Sequence, residues 1–213
     1  MPATAAVPVP AVDTVVLDLG NVLLRWDPDA AFTGVDPDEL AAWKTEVDFP
    51  AFNHAQDAGR TWADAVAHLE ATAPHLAPLA ARYVRDYAAT LAGGPVPGSA
   101  DLVAELRAAG VPVYGLTNWA ADTYHHAETA APAVGLLCDV LVSGREGLAK
   151  PDPAIFRRAA TRFDLDPART VFVDDVAANV AGARTAGYHG VVFTGTPALR
   201  TALADLGLPV ARP

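Results

Sequence analysis

Five short apolar runs, each followed by a segment with helical periodicity, constrain the fold of this chain more than any other feature. The runs are too apolar to alternate with polar side chains, so both faces of each predicted strand are covered. Strands of this kind form a parallel sheet between two layers of helices. The sequence therefore predicts an α/β, Rossmann-like parallel sheet, with strands within 13–19, 111–118, 138–144, 170–175 and 189–195.

Residues 28–92 break this rhythm, because they contain four helical patterns and no strand-like run. A Gly/Pro-rich linker at 93–99 follows them. We interpret 28–92 as a small helical cap inserted after the first strand, and 10–27 with 93–210 as the α/β core. An α/β sheet binds ligands outside the carboxyl ends of its strands, so a cap that leaves from this edge is expected to lie over the site.

Composition and charge narrow the class of protein. The net charge of −10 argues against a nucleic-acid partner, although a bound metal ion can reverse the local field for an anionic substrate. The single cysteine, Cys138, excludes an internal disulfide and agrees with a cytoplasmic location. The N-terminus carries no positive charge before Arg25, and no apolar run reaches the length of a membrane span. We therefore expect neither a signal peptide nor a membrane partner.

Polar residues follow four of the predicted strands. Asp18 follows the first strand, the pair Thr117-Asn118 ends the second, Lys150 comes after the third, and the pair Asp174-Asp175 ends the fourth. Each feature alone is common at a turn or at the start of a helix. Because parallel strands end at the same edge of a sheet, we expect these side chains to converge on one site.

These segments resemble the four motifs of the haloacid dehalogenase superfamily. The motifs read "VVLDLGNV", "VYGLTN", "GLAKPDPAIF" and "VFVDDVAANVAGA" in this chain. The likeness is strongest to the subfamily I phosphatases with a small helical cap. The wording "DLGNV" resembles the subgroup that contains bacterial α-D-glucose-1-phosphate phosphatase.

The resemblance implies a Mg²⁺-dependent phosphatase that acts on a small phosphorylated metabolite, with a sugar phosphate as one candidate. Asp18 would be the nucleophile and would form an aspartyl phosphate. The Mg²⁺ ligands would be the carboxylate of Asp18, the backbone carbonyl of Gly20 and the carboxylate of Asp175.

Further residues receive roles from the same resemblance. Thr117 and Lys150 would take part in catalysis by stabilising the phosphoryl group, and together with Asn118 and Asn21 they would bind the substrate. Asp174 has two alternative roles: it orients Lys150 or caps the next helix, or it contacts the metal through water. The chain has 13 arginines and two lysines, so a lysine in the motif position suggests that a compact charge is required there.

Gly20 departs from the family pattern. Most relatives carry a second aspartate at this position, which protonates the leaving alcohol. The sequence leaves open which group replaces that acid and whether the backbone requires glycine. His54, Asp57 and Arg60 in the cap are candidates for contact with the substrate.

Two rival functions follow from the same motifs. A 2-haloacid dehalogenase also uses the first aspartate but needs no metal, and the acidic pair Asp174-Asp175 argues against it. A catalytically weak protein that binds a phosphorylated ligand and regulates a partner is permitted by Gly20. The sequence is compatible with a monomer or a homodimer.

Overall fold

The structure, a computed structural model, describes residues 11–213 of the chain. The strands are β1 (Thr14–Leu17), β2 (Val113–Thr117), β3 (Val140–Val142), β4 (Thr170–Asp174) and β5 (His189–Val192). They form one parallel sheet in the order β3-β2-β1-β4-β5. The predicted α/β fold is confirmed, and every strand lies inside its predicted range.

Ten helices accompany the sheet within residues 11–213. They are α1 (Pro37–Glu46), α2 (Phe49–Asp57), α3 (Trp62–Thr72), α4 (Ala77–Arg85), α5 (Ser99–Ala108), α6 (His126–Ala130), α7 (Ser143–Glu146), α8 (Pro153–Phe163), α9 (Ala177–Thr185) and α10 (Thr196–Asp205). Short 3-10 helices span Pro28–Phe32, Tyr87–Leu91, Pro132–Leu136 and Pro167–Arg169. None of the helices in this part of the chain combines the length and the apolar character that crossing a membrane requires. Residues 1–10, on which the prediction of no signal peptide depends, lie outside the described residues.

The central strand β1 packs alternate residues on opposite faces of the sheet, as the strand period requires. Val15 belongs to an apolar cluster that contains Leu102 of α5. Val16 belongs to a second cluster that contains Phe156 of α8. The sheet is therefore covered on both faces, which explains why its strands read as continuous apolar runs.

The register of the sheet aligns the ends of its three central strands. Leu17 of β1 pairs with Gly115 of β2 and with Val173 of β4. The backbone N–H of Asp18 then donates to the carbonyl of Val173 at 2.8 Å. The residues that follow β1 and β4 consequently start side by side at the C-terminal edge of the sheet.

The segment predicted as the cap is helical in the structure. It holds α1 to α4, the 3-10 helices Pro28–Phe32 and Tyr87–Leu91, and no strand. Its aromatic residues pack around Tyr83, whose ring centroid lies 4.9 Å from that of Trp62 and 5.4 Å from that of Phe49. The chain enters and leaves this segment side by side, since Val96 N donates to Leu23 O at 2.9 Å. The division into a core and a cap domain stays a prediction.

Candidate active site

A cavity of about 180 Å³ lies where the C-terminal edge of the sheet meets the helical segment. Seven of the sequence-predicted site residues line it, namely Asp18, Gly20, Asn21, Thr117, Asn118, Lys150 and Asp175. Further lining residues are Trp26, Asn53, Asp57, Tyr87, Trp119, Val176 and Asn179. The structure thus brings together residues that are up to 161 positions apart in the chain. Their individual roles stay predictions.

Asp18 lies at the centre of the site because β1 is the central strand. Its Oδ1 atom contacts the ammonium of Lys150 at 2.8 Å and accepts a hydrogen bond from the backbone N–H of Leu19 at 2.8 Å. Both contacts use Oδ1, which leaves Oδ2 for another partner. Burial raises the pKa of Asp18 to about 7, against the opposing effect of the positive charge of Lys150.

Lys150 is the buried cation of the site, with a relative exposure of 1%. Its Nζ atom lies 2.8 Å from Asp18 Oδ1, 2.7 Å from Asp174 Oδ2 and 3.0 Å from the carbonyl oxygen of Leu116. Three acceptors match the three N–H donors of an ammonium group. Burial opposes the charged form, but the two carboxylates raise the pKa of Lys150 above its usual value.

Asn118 fixes the backbone of Lys150 rather than offering its side chain to the cavity. Its Oδ1 atom accepts from Lys150 N at 2.8 Å, and its Nδ2 atom donates to Lys150 O at 3.0 Å. This pair of bonds ties the segment before α8 to the end of β2. The backbone of Asn118, instead of its amide group, is therefore the part available to a ligand. Thr117, the last residue of β2, is buried on the same wall.

Asp174 and Asp175 have different surroundings although they are adjacent. Asp174 is fully buried, and its carboxylate accepts from Lys150 Nζ, from the backbone N–H of Val176 at 2.8 Å and from Asn179 Nδ2 at 3.1 Å to each oxygen. Asp174 therefore both holds Lys150 and caps the turn before α9. Asp175 is half-buried and accepts one bond, from Asn21 Nδ2 at 3.2 Å. Burial raises the pKa of Asp175.

The donor set fits a hard divalent cation. Asp18, Asp174 and Asp175 each offer a carboxylate oxygen, and these oxygens lie within 4.8 Å of one another. Carboxylate oxygens are the ligands that Mg²⁺ prefers. Because the oxygens of Asp174 are already occupied by hydrogen bonds, Asp18 and Asp175 are better placed as direct ligands.

The loop after β1 holds Gly20 and Asn21. The φ angle of Gly20 lies outside the left-handed region, and a Cβ atom added there would meet no atom of residues 11–213 within 4 Å. Neither the backbone nor the packing therefore requires glycine at this position. Asn21 adopts a left-handed φ of 56°, and its Oδ1 atom accepts from Trp26 N at 3.2 Å. The side chain of Asn21 thus connects the loop to Asp175.

The helical segment contributes fewer of its candidate residues than the sequence suggested. Asp57, the last residue of α2, lines the cavity, whereas His54 is exposed and lies outside its lining. Arg60 is engaged inside the segment, since it donates to Phe52 O at 3.3 Å and lies over the Phe52 ring. Sequence reasoning missed Asn53. Its position four residues before Asp57 on the same helix was the available signal, because such residues share a face.

Comparisons with known proteins agree with this arrangement. A family model described as haloacid dehalogenase-like hydrolase matches residues 12–187. The sesquiterpene phosphatase astK of Aspergillus oryzae is 33% identical over 93 residues, which are 44% of this chain and 47% of that protein. The phosphoserine phosphatase of Thermus thermophilus is 34% identical over 96 residues, which are 45% of this chain and 39% of that protein. The chain therefore spans less than half the length of each of these curated relatives.

A solved structure shares the fold. It is the HAD family enzyme bt-2542 of Bacteroides thetaiotaomicron, crystallised with magnesium and inorganic phosphate. The TM-score is 0.65 at 19% identity, over 86% of this chain and 95% of the other.

Proposed function

The chain belongs to the haloacid dehalogenase-like hydrolases, and we propose that it is a Mg²⁺-dependent phosphatase for small phosphorylated metabolites. One observation carries the proposal: Asp18 and Asp175 face each other at the C-terminal edge of the sheet, and Lys150 contacts Asp18 from below. A 2-haloacid dehalogenase also uses the first aspartate but needs no metal, whereas phosphoryl transfer uses a nucleophile, a cation and charge neutralisation that the acidic pair could supply by holding a metal ion. A sugar phosphate, as hydrolysed by the α-D-glucose-1-phosphate phosphatase subgroup, stays one candidate substrate.

Asp18 acts first in this proposal. Its Oδ2 atom attacks phosphorus, the bond from phosphorus to the leaving oxygen breaks, and an aspartyl phosphate forms. The hydroxyl of Thr117 and the backbone N–H of Asn118 donate to the phosphoryl oxygens. Lys150 keeps Oδ1 of Asp18 in place and balances its charge.

Asp18, the Gly20 carbonyl and Asp175 would hold the metal ion. When bound there, Mg²⁺ would neutralise charge on the phosphoryl oxygens. Asn21 positions Asp175 for this role through its hydrogen bond. Asp174 holds Lys150 and supports the site from outside the ligand set.

Water completes the cycle by attacking the aspartyl phosphate. The bond between phosphorus and Asp18 breaks, inorganic phosphate leaves, and the carboxylate of Asp18 is restored. The names of the two curated relatives, both phosphatases, support this reaction class. Their substrates are not transferred to this chain, because the similarity covers less than half of each protein.

The test is a panel of phosphate monoesters, assayed with Mg²⁺ and with a chelator, for the wild type and for Asp18→Asn. We expect phosphate release that needs both Mg²⁺ and Asp18. Chloride release from 2-haloacids without metal would instead identify a dehalogenase. Binding of phosphate esters without turnover would identify a regulatory protein. The cytoplasmic location and the monomer or homodimer stay predictions.

A further inference from the structure

The carboxylates that the structure places at the C-terminal edge of the sheet are all engaged in other roles, so none is available to protonate the leaving group. Asp18 is the nucleophile, and Asp174 is saturated by its hydrogen-bond donors. Asp175 faces Asp18 as a metal ligand. Gly20 has no side chain, although the structure has room for one. An alkyl phosphate needs its leaving oxygen protonated, so the acid must come from the opposite wall of the cavity.

Asp57 is the one carboxyl on that opposite wall, within residues 11–213. It ends α2 and lines the cavity together with Asn53, one turn earlier on the same helix. Asn53 Nδ2 donates to Asp57 Oδ2 at 3.2 Å. This bond fixes the carboxyl and leaves Oδ1 to carry a proton into the cavity.

The surroundings of Asp57 favour its protonated form. Lys150 is the sole cation among the cavity-lining residues of the described chain, and it is already bound by Asp18 and Asp174. Burial raises the pKa of Asp57 to about 7, and the charge of Asp18 adds to this effect. Lys150 and the bond from Asn53 act in the opposite direction. An acid with a pKa near the working pH is suited to proton transfer in both directions.

We propose that Asp57 is the general acid and base of this enzyme, acting on phosphate monoesters of uncharged alcohols. The inference rests on the proposed function. In the first step Asp57 gives its proton to the leaving oxygen as the bond to phosphorus breaks, which yields the alcohol and a carboxylate. In the second step this carboxylate takes a proton from the attacking water, so Asp57 returns to its protonated form as phosphate leaves.

The charges of the cavity define the substrate class. Among the lining residues of 11–213, a second anionic group on the substrate would meet no cationic side chain beyond Lys150, and it would lie near the acid Asp57. The cavity is also lined by Trp26, Tyr87, Trp119 and Val176, whose side chains are largely apolar. An uncharged alcohol moiety fits these walls, whereas a carboxylate-bearing one does not.

The experiment compares alkyl and aryl phosphates in Asp57→Asn, with Asp48→Asn as the matched control. Asp48 precedes α2, is exposed, and makes no side-chain bond at the start of the helix. For Asp57→Asn we expect kcat/KM on uncharged alkyl phosphates to fall by about 10²- to 10⁴-fold. For 4-nitrophenyl phosphate kcat/KM should be largely retained, because nitrophenolate leaves without a proton. The release of nitrophenolate should show a burst, since hydrolysis of the aspartyl phosphate has lost its base.

Several results would overturn the proposal. Equal losses on alkyl and aryl phosphates in a folded variant, or no loss on either, would remove Asp57 from proton transfer. A carboxylate-bearing ester that is preferred to its uncharged counterpart would contradict the substrate class. If Asp57→Asn does not fold, the wild type decides the matter: a steep dependence of kcat/KM on leaving-group pKa would exclude any general acid. A wild type that shows no phosphate release dependent on Asp18 would overturn the proposed function itself. The preceding results overturn the role of Asp57 while phosphatase activity persists, so the two failures are distinguishable.

Discussion

The two walls of the cavity hold their carboxyl groups in different ways. At the C-terminal edge of the sheet, Asp174 accepts from Lys150, Val176 and Asn179 and is fully buried. On the helical wall, Asp57 is half-buried and accepts one bond, from Asn53. Asp174 therefore has hydrogen-bond donors at both of its oxygens, whereas Asp57 has a donor at one oxygen and keeps the other for the cavity. The same chemical group is suited to different tasks because of the number of donors around it.

The two walls also differ in what fixes their positions. Backbone pairing between β1, β2 and β4 sets the sheet edge to a definite register. The helical wall depends on side-chain packing around Tyr83. Rigid strands thus carry the groups that must meet at phosphorus, and the helices carry the group that meets the variable part of the substrate.

Among substitutions at the sheet edge, Asp18→Asn should have the largest effect on turnover. We expect turnover to fall on the order of 10⁴- to 10⁶-fold, as when other nucleophiles are removed, because an amide cannot form the aspartyl phosphate. The fold should persist, since the amide still offers an acceptor to Leu19 N. Steady-state kinetics and circular dichroism check the two statements. Activity near that of the wild type would refute the covalent mechanism.

The two lysines of the chain provide a second test. Lys150→Met removes a buried cation and leaves Asp18 and Asp174 unpaired, so we expect a loss of about 3–5 kcal/mol in the free energy of unfolding. Lys44→Met is the control, because Lys44 pairs with Asp29 at the surface of the helical segment. It should cost about 0–1 kcal/mol. Urea titrations measure the free energy of unfolding of both variants. Equal losses would show that the buried network of Lys150 stabilises the fold no more than the surface pair of Lys44 does.

The two aspartates of the acidic pair should differ in their effect on metal binding. Asp175→Ala should weaken Mg²⁺ binding beyond the roughly 10- to 100-fold that is typical when an outer residue is changed. Asp174→Ala should stay within that range and destabilise the fold instead, since Asn179 and Lys150 lose their acceptor. Calorimetric Mg²⁺ titrations and melting curves separate the two effects. Equal losses of affinity would mean that both aspartates bind the metal.

The smallest expected effect is on stability at the helical wall. The pKa of Asp57 is raised to about 7 in the folded state. Between the ordinary pKa of an aspartate and pH 7, the folded state therefore keeps a proton that the unfolded state has released. The free energy of unfolding therefore falls as pH rises through this window, and the loss is complete above it. Asp57→Asn removes this loss, so the metal-free variant should be about 1–3 kcal/mol more stable than the wild type at pH 8. The gain should shrink at pH 5. A constant difference at both pH values would assign the effect to packing.

The sheet edge could be located from the sequence because apolar strands recur and polar residues lie at their ends. Asp18 and Asp175 follow buried strands and Thr117 ends one, and parallel strands end at the same edge, so the convergence of these residues was predictable. Lys150 was predicted from the resemblance and from its rarity. What fixes its backbone, the two bonds to Asn118, depends on a contact between segments 32 residues apart.

The helical wall was less predictable, because its side chains are placed by packing between helices. The sequence offered Asp57 and Arg60 with equal weight, but Arg60 packs on Phe52 and away from the cavity. Tyr87 was not anticipated, because no local pattern says which face of a 3-10 helix meets the sheet. The sequence also left the role of Gly20 open, and the structure removes the steric explanation for it.

Because Lys150 is buried, its chemical labelling can report how often the site opens. Amine-acylating reagents attack only an uncharged, accessible amine, and Lys150 is sealed and doubly paired while Lys44 is reachable. Of the two lysine side chains, Lys44 should therefore be labelled rapidly and Lys150 only during excursions that loosen the site. The slow labelling rate of Lys150, read by mass spectrometry of one peptide, would report the frequency of those excursions. A bound phosphate ester should slow that rate.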